Sequence, residues 1–208
     1  MVGRGSKNPQ QPPRALTRAG SDVIEDTGVL WRIHRTGGPY ALPWNGFRTF
    51  GPLHTARFDP HPPTRGDHPG YGVIYAGHDI ATCVAEVFQA ARAVHASPNI
   101  QLAGWEPVRP LRLLNLTGDW ALRNGGSHSL FAAPKPTCRN WSRAIHRQWP
   151  DIDGLLSPST MTGRPIVTLY EPAGVTFPGR PGFARPLNNP YVWTVIAEAA
   201  LQVGFTVS

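Results

Sequence analysis

The chain has little cysteine and no long apolar run. Cys83 and Cys138 are far apart, with no CxxC spacing and no paired histidines nearby, so the sequence predicts two free, buried thiols and no zinc site. No stretch approaches the roughly 18 apolar residues that cross a membrane, and the first residues lack the apolar core of a signal peptide. We therefore expect a cytoplasmic protein that does not enter a membrane.

Lysine is also scarce, and the basic residues are almost all arginine. The chain carries 18 arginines and two lysines against 13 acidic residues, which gives a formal charge of +7. This balance favours anionic partners, namely nucleic acid, an acidic protein surface or a phosphorylated small molecule. Charge alone does not rank these partners, because the arginines are scattered along the chain.

The composition predicts one domain preceded by a tail. Residues 1–26 are rich in Pro, Gly, Arg and polar side chains and show no sustained period, so we expect a flexible basic arm. Residues 27–208 have a suitable length for a single domain. The 23 prolines and 22 glycines of the chain indicate short elements joined by irregular segments.

Hydrophobic periodicity predicts strands interspersed with helices. We expect strands at 28–35, 71–76, 99–106, 111–116, 153–156 and 165–171, and the main helices at 80–94, 137–149 and 191–203. The helix at 80–94 is the clearest, with one apolar face and Asp79 as its N-cap. No GxGxxG or GxxxxGK[ST] motif is present, so a mixed α+β fold fits better than a Rossmann-like parallel sheet.

Glu86 does not fit the apolar face of that helix. Its neighbours at helical spacing are Thr82, Gln89 and two alanines, and Arg92 is the only other charged residue between positions 80 and 94. We expect a helix with so few charges on its second face to be buried on that face as well. A buried carboxylate needs ionic or hydrogen-bonding partners. Glu86 is therefore either a functional carboxylate or one on a solvated face, and the helix pattern leaves both interpretations open.

Four segments in succession resemble the RES domain, a family named for an arginine, a glutamate and a serine. They are WRIHR at 31–35, ARFDP at 56–60, GVIYAGHDIATCVAEV at 72–87 and DGLLSPS at 153–159. The resemblance covers roughly residues 28–172 and is strongest in the strand, turn and helix that carry Tyr75 and Glu86. The order and spacing of all four segments together carry the resemblance.

This resemblance implies an ADP-ribosyltransferase-like α+β fold, with mixed, mainly antiparallel sheets and flanking helices. It implies a toxin that degrades NAD by cleaving the nicotinamide–ribose bond through hydrolysis or phosphorolysis, with NAD as substrate and with no cofactor or metal. It also implies an antitoxin partner with an Xre-type DNA-binding region, so that nucleic acid is contacted only through the antitoxin. A homo-oligomer within the toxin–antitoxin complex is compatible with this assembly.

The site residues follow by position from the resemblance, which assigns catalysis to Arg32, Glu86 and Ser159, and NAD binding to Arg32, Arg57, Tyr75 and Ser159. The residue types suit these tasks. An arginine clamps a pyrophosphate or carboxamide oxygen with a fixed fork of donors, and a tyrosine offers a flat face to nicotinamide. A carboxylate stabilises the ribose as it becomes positively charged.

Several alternatives remain open at the level of sequence. The aromatic residue that the family pattern has two places before its serine is Ser157 here, so Ser157 and Ser159 can exchange roles, and the loop at 59–70 is long. Arg32 and Arg57 are compatible with structural ion pairs, and Tyr75 with a place in the core. The alternative functions are ADP-ribosyl transfer to a protein or small molecule and, at a lower rank, nucleic-acid binding based on the charge and the basic arm.

Overall fold

The computed structural model describes residues 6–208, which form a mixed α+β fold. The helices are α1 Ile80–Val87, α2 Trp120–Arg123, α3 Lys135–Gln148 and α4 Pro190–Gln202, with 3-10 turns at Gly20–Asp22, His128–Ala132 and Glu171–Thr176. The strands are β1 Val23–Asp26, β2 Leu30–Arg35, β3 Phe50–Gly51, β4 Gly66–Asp67, β5 Val73–Gly77, β6 Ala93–Val94, β7 Ile100–Trp105, β8 Leu111–Asn115, β9 Gly154–Pro158, β10 Pro165–Tyr170, β11 Phe183–Pro186 and β12 Thr206–Val207.

Eight of these strands form one sheet, in the order β1-β8-β9-β10-β5-β2-β7-β11. The pair β8–β9 is parallel, and every other neighbouring pair in this sheet is antiparallel. The small pairs are β3 with β4, which is antiparallel, and β6 with β12, which is parallel. The predicted α+β fold with mainly antiparallel sheet is confirmed.

The sheet opens between β2 and β5. These strands share one residue pair, Trp31 with Gly77, although β2 has six residues and β5 has five. Further along β5, Val73 is paired instead with Arg48, from the long connection after β2. The strands that carry Arg32 and Tyr75 are therefore adjacent at one end and separate at the other.

Helices cover one face of the sheet on both sides of this opening. Helices α2 and α3 pack on β8, β9 and β10 around the buried rings of Trp120 and Trp141. Helices α1 and α4 pack on β2 and β7, where Ile33 and Leu102 are buried. The opposite face is closed by Trp44, Phe47 and Phe177 from irregular segments. A gap between the α2–α3 group and the α1–α4 group lies over the opening between β2 and β5.

Contacts spread along the described part of the predicted arm hold it against the domain. Residues 1–5 lie outside the described residues, but Leu16 is 3% exposed, and backbone carbonyls of Pro9 and Thr17 accept from the indole nitrogens of Trp141 and Trp120, both at 2.9 Å. Residues 23–26 form β1, which pairs with β8, so the boundary predicted at residue 27 falls within the sheet. No periodic pattern marks this segment, because many of its contacts are made by single polar groups, among them backbone carbonyls that accept from buried indoles.

Helix α1 ends at Val87 rather than at position 94. The amide of Phe88 still donates to Val84 O, but Arg92 has a positive φ of 48°, and Ala93 and Val94 pair with β12. Burying Val94 beside the last strand outweighs continuation of the amphipathic helix pattern. The predicted thiols are confirmed, since Cys83 and Cys138 are both free and buried. None of the helices among the described residues has the length and apolar character to span a membrane.

An ion pair joins β1 to the turn before α1 and makes stability depend on pH. His78 Nε2 lies 2.9 Å from Asp26 Oδ2, and this hydrogen bond raises the pKa of His78 above its usual range. A raised folded pKa stabilises the fold below the unfolded value of about 6.5 and stops doing so as the pH rises through the folded pKa. We expect His78→Gln to lower the free energy of unfolding by about 1 kcal/mol at pH 5.5 and by clearly less at pH 9.

Chemical denaturation at the two pH values measures this difference. His54→Gln is the matched control, because His54 is exposed and takes part in no ion pair among the described residues. A loss at pH 9 equal to that at pH 5.5 would show that packing of the imidazole, and not its charge, stabilises this turn.

Candidate active site

A cavity of about 600 Å³ lies where β2 and β5 separate. Its volume falls in the usual range for small-molecule and cofactor sites. The floor comes from β2, β5 and Ile166 of β10, one wall from α1, and the other wall from the irregular segment 53–58 and the start of α3. The charged or potentially charged residues that line it are Arg32, Arg48, Arg57, Tyr75, Cys83, Glu86 and Lys135.

Local sequence fixes the position of α1. Asp79 caps the helix, with Oδ1 accepting from the amide of Thr82 at 2.8 Å and Oδ2 accepting from the hydroxyl of the same residue at 2.8 Å. Cys83 Sγ lies 3.1 Å from the carbonyl of Trp31, where it can donate a weak hydrogen bond to β2. Burial raises the pKa of this thiol to about 12, so Cys83 is a packing residue and not a nucleophile.

Glu86 lies in the last turn of α1 and lines the cavity. Its Oε1 accepts a 2.5 Å hydrogen bond from Ser159 Oγ. That Oγ also accepts from the backbone amides of Met161 and Thr162, at 3.0 and 3.1 Å. Because a hydroxyl has one proton, two incoming amide donors commit that proton to Glu86. Ser159 therefore fixes the orientation of the Glu86 carboxylate.

The two candidate serines lie in different surroundings. Ser159 begins the turn between β9 and β10, a turn that includes Gly163 at a φ of +73°, and it is 2% exposed behind Glu86. Ser157 lies two residues earlier in β9, fully buried, and its Oγ has no hydrogen-bond partner among residues 6–208. The structure thus brings Ser159, and not Ser157, to the carboxylate.

Arg32 is a partly buried cation without an acidic partner in the described part of the chain. Its Nη1 donates to the carbonyls of Trp44 at 2.7 Å and Gly46 at 3.2 Å. Burial, together with the nearby charge of Arg48, lowers the pKa of Arg32 to about 10. The side chain is still protonated at neutral pH, so it presents a poorly solvated positive charge to the cavity. Such a group favours an anionic ligand.

Arg57 belongs to a wall that is held through its backbone. Arg57 Nη1 donates to Ala133 O at 2.5 Å, and carbonyls of the segment from Leu53 to His61 accept from helix α3. Arg139 donates to Leu53 O and Ala56 O at 3.1 and 3.0 Å, Ser142 to Phe58 O at 2.7 Å, and Arg143 to His61 O at 2.8 Å. Helix α3 therefore supports the wall opposite Glu86 even though residues 52–60 form no strand.

Tyr75 lines the cavity and can offer a ligand only its ring, because its hydroxyl already donates one hydrogen bond and accepts another. The hydroxyl donates to Asp59 Oδ1 at 2.8 Å and accepts from the amide of Phe58 at 3.1 Å. Burial and the nearby carboxylate of Asp59 raise the pKa of Tyr75 well above its usual value, so the phenol stays neutral. Tyr75 is thus available for stacking, but not as a proton donor to a ligand.

Sequence reasoning missed three residues at the cavity. Arg48 and Lys135 line it, and Asp59 lies beneath it with an exposed fraction of zero. Asp59 follows Arg57 and Phe58 in the ARFDP segment, so its position next to a predicted site residue was the available signal. Arg48 and Lys135 gave no comparable signal, because Arg48 lies in an irregular connection and Lys135 begins a helix whose amphipathic pattern points elsewhere.

Comparisons with known proteins show the fold and the family of the chain. A chain in the crystal structure of the M. tuberculosis MbcT-MbcA toxin-antitoxin complex is 19% identical, with a TM-score of 0.57 over 84% of this chain and 92% of that chain. At this identity the similarity shows the fold. No curated protein matches the sequence. The model of the RES domain matches residues 29–187, a span that contains Arg32, Arg57, Tyr75, Glu86 and Ser159. This match covers well over half of the 208 residues, and the chain belongs to the RES domain family.

Proposed function

We propose that this protein binds NAD in the cavity between β2, β5 and α1 and cleaves its nicotinamide–ribose bond. The observation that carries the proposal is the pairing of one oriented carboxylate, Glu86, with guanidinium groups that have no acidic partner in the described chain, Arg32 and Arg57, in a single cavity. A dinucleotide has the complementary pattern, since its pyrophosphate is anionic and its nicotinamide riboside end becomes more cationic at the sugar during cleavage.

The residues divide the chemistry between them. Departure of nicotinamide as a neutral molecule leaves an oxocarbenium-like ribose, and the Glu86 carboxylate stabilises that charge or holds a ribose hydroxyl. A second acid to protonate the leaving group is unnecessary. Arg32 and Arg57 bind the pyrophosphate, and the ring of Tyr75 stacks on a flat part of the ligand. Water or phosphate then attacks the sugar.

The biological role that we propose is that of a toxin neutralised by an antitoxin. Membership in the RES domain family supports this role, as does the fold shared with a chain of the M. tuberculosis toxin–antitoxin complex. We propose an Xre-type antitoxin as the partner, with DNA contacted through that partner. Loss of growth on expression of the chain alone, and its rescue by a co-expressed Xre-type protein, would support this assignment.

Incubation of purified, antitoxin-free protein with NAD tests the activity. We expect nicotinamide to be released, with chromatography resolving ADP-ribose as the product in the absence of phosphate and ADP-ribose 1″-phosphate if phosphate is the acceptor. NAD labelled in the adenosine part distinguishes a transferase, because the label then appears on a protein or small-molecule acceptor. Undiminished NAD both with and without phosphate would refute the proposal.

Ser159 and Ser157 provide a matched pair of variants. We expect Ser159→Ala to lower kcat for NAD cleavage by about 10-fold or more, because the Glu86 carboxylate loses the hydroxyl that orients it. Ser157→Ala should leave kcat within about 2-fold, since a buried hydroxyl without a partner contributes no hydrogen bond that its removal would cost. Steady-state kinetics of the two variants measure the difference. Equal losses would remove the role assigned to Ser159.

A further inference from the structure

Asp59 is a buried carboxylate with a full set of donors. Its Oδ1 accepts from the Tyr75 hydroxyl at 2.8 Å and from Arg48 Nη2 at 2.6 Å, and its Oδ2 accepts from the amide of Leu53 at 2.9 Å. The side chain has an exposed fraction of zero, and His61 Nδ1 lies 3.7 Å from Oδ2. A charge in such a place is retained only when it is paired and hydrogen-bonded.

The donors to Asp59 come from three separate parts of the cavity. Tyr75 belongs to β5 on the floor, Leu53 begins the irregular wall, and Arg48 belongs to the connection that is paired with β5 where β2 has separated from it. One carboxylate thus joins the start of the irregular wall to β5 and to the Arg48 connection, which is itself bonded to β5 through the single backbone bridge of Arg48 with Val73. These bonds therefore connect the wall directly to the floor of the cavity.

We propose that Asp59 is a positioning residue for the dinucleotide site, holding the Tyr75 ring and the Arg48 guanidinium in place for the ligand before it binds. This inference rests on the proposed function. Asp59 does not line the cavity, so it acts through the two side chains that do. Its carboxylate accepts the hydrogen bond that the Tyr75 hydroxyl donates. It also places the charge of Arg48 beside that of Arg32, so that Arg48 can join Arg32 and Arg57 in binding one pyrophosphate.

This role predicts an effect on KM rather than on kcat. Arg48 acts on the pyrophosphate, whose charge does not change during cleavage, so its contribution is the same in the ground state and the transition state. An asparagine at position 59 has the shape of aspartate, but its NH2 group would face one of the present donors. The ring and the guanidinium would then lose their fixed positions, while Glu86 and Ser159 would keep theirs.

Asp59→Asn and Asp153→Asn, assayed in the full chain, test the proposal. Asp153 is a matched control, because it is 3% exposed and accepts from Arg109 at 2.7 and 2.9 Å, but its side chain accepts from no residue that lines the cavity. At a temperature where circular dichroism shows both variants folded, we expect Asp59→Asn to raise KM for NAD by about 10-fold with kcat within about 3-fold. Asp153→Asn should leave both constants within about 2-fold. A KM change no larger than in the control would overturn the proposal.

A second measurement separates this inference from the proposed function. The variants Asp59→Asn and Tyr75→Phe, alone and combined, form a double-mutant cycle in the equilibrium constant of unfolding, which needs no NAD. We expect a coupling of at least about 5-fold in that constant. If the wild type does not cleave NAD but the coupling is present, the proposed function fails while Asp59 still positions Tyr75. Additive effects would overturn the positioning role whatever the activity.

Discussion

Glu86→Gln is expected to lose NAD cleavage almost completely, with kcat lower by on the order of 10²- to 10³-fold. The amide keeps the shape of the side chain but cannot stabilise a positively charged ribose. Ser159 can still donate to the amide oxygen at position 86, so the substituted side chain should keep its position at the end of α1. Since Glu86 is not fully buried, the free energy of unfolding should change little. Nicotinamide release measured in single-turnover and steady-state assays gives the rate.

Glu198→Gln is the control for that variant. Glu198 is an exposed carboxylate on α4 outside the cavity lining, and its replacement changes the net charge by the same amount. We expect its kcat and KM to match those of the wild type. Wild-type turnover by Glu86→Gln would remove the carboxylate from the mechanism, even if NAD is cleaved by the protein.

Gly154→Ala is expected to cost about 3 kcal/mol or more of folding free energy, at the upper end of what overpacking causes. Gly154 lies in β9, between Leu113 of β8 and Leu169 of β10. A Cβ at this position would overlap the carbonyl oxygen of Thr168 and lie 3.0 Å from Leu169 Cα. Both obstacles are backbone atoms of a central strand, so the sheet itself would have to move. The midpoint of urea unfolding measures the loss.

Gly179→Ala is the matched control, because a Cβ there meets nothing within 4 Å and the glycine has no positive φ. We expect it to be neutral or slightly stabilising, since alanine restricts the unfolded chain. A Gly154→Ala variant as stable as Gly179→Ala would mean that β9 and β10 can separate without penalty, contrary to their register in the sheet.

The sequence predicted the strands of the main sheet better than it predicted the ends of α1 and of the tail. Alternation identifies β2 and β5 because their two faces meet different surroundings. The end of α1 depends on β12, more than a hundred residues later, and no local pattern contains that pairing. β11 at Phe183–Pro186 was missed for a similar reason, since a proline- and glycine-rich segment pairs with β7 at the edge of the sheet.

The candidate site was predictable where a motif placed a residue and not where an irregular segment did. Family resemblance identified Arg32, Arg57, Tyr75, Glu86 and Ser159, and the structure places all of them at or directly behind one cavity. The resemblance could not show that the hydroxyls of Tyr75 and Ser159 already donate hydrogen bonds, because tertiary contacts bring their acceptors, Asp59 and Glu86, into reach. These hydrogen bonds make Tyr75 a stacking surface and Ser159 a support for the carboxylate.

The hydrogen bonds from α3 to the carbonyls of segment 53–61 allow some residues of that segment to change without loss of the fold. A hydrogen bond from a guanidinium to a main-chain oxygen does not depend on the side chain of the residue that carries the oxygen. The exposed positions of the segment, such as His54 and Thr55, can therefore be exchanged while the bonds from Arg139 persist. A small randomised library at these two positions is thus a suitable starting point for altering ligand preference without rebuilding the scaffold.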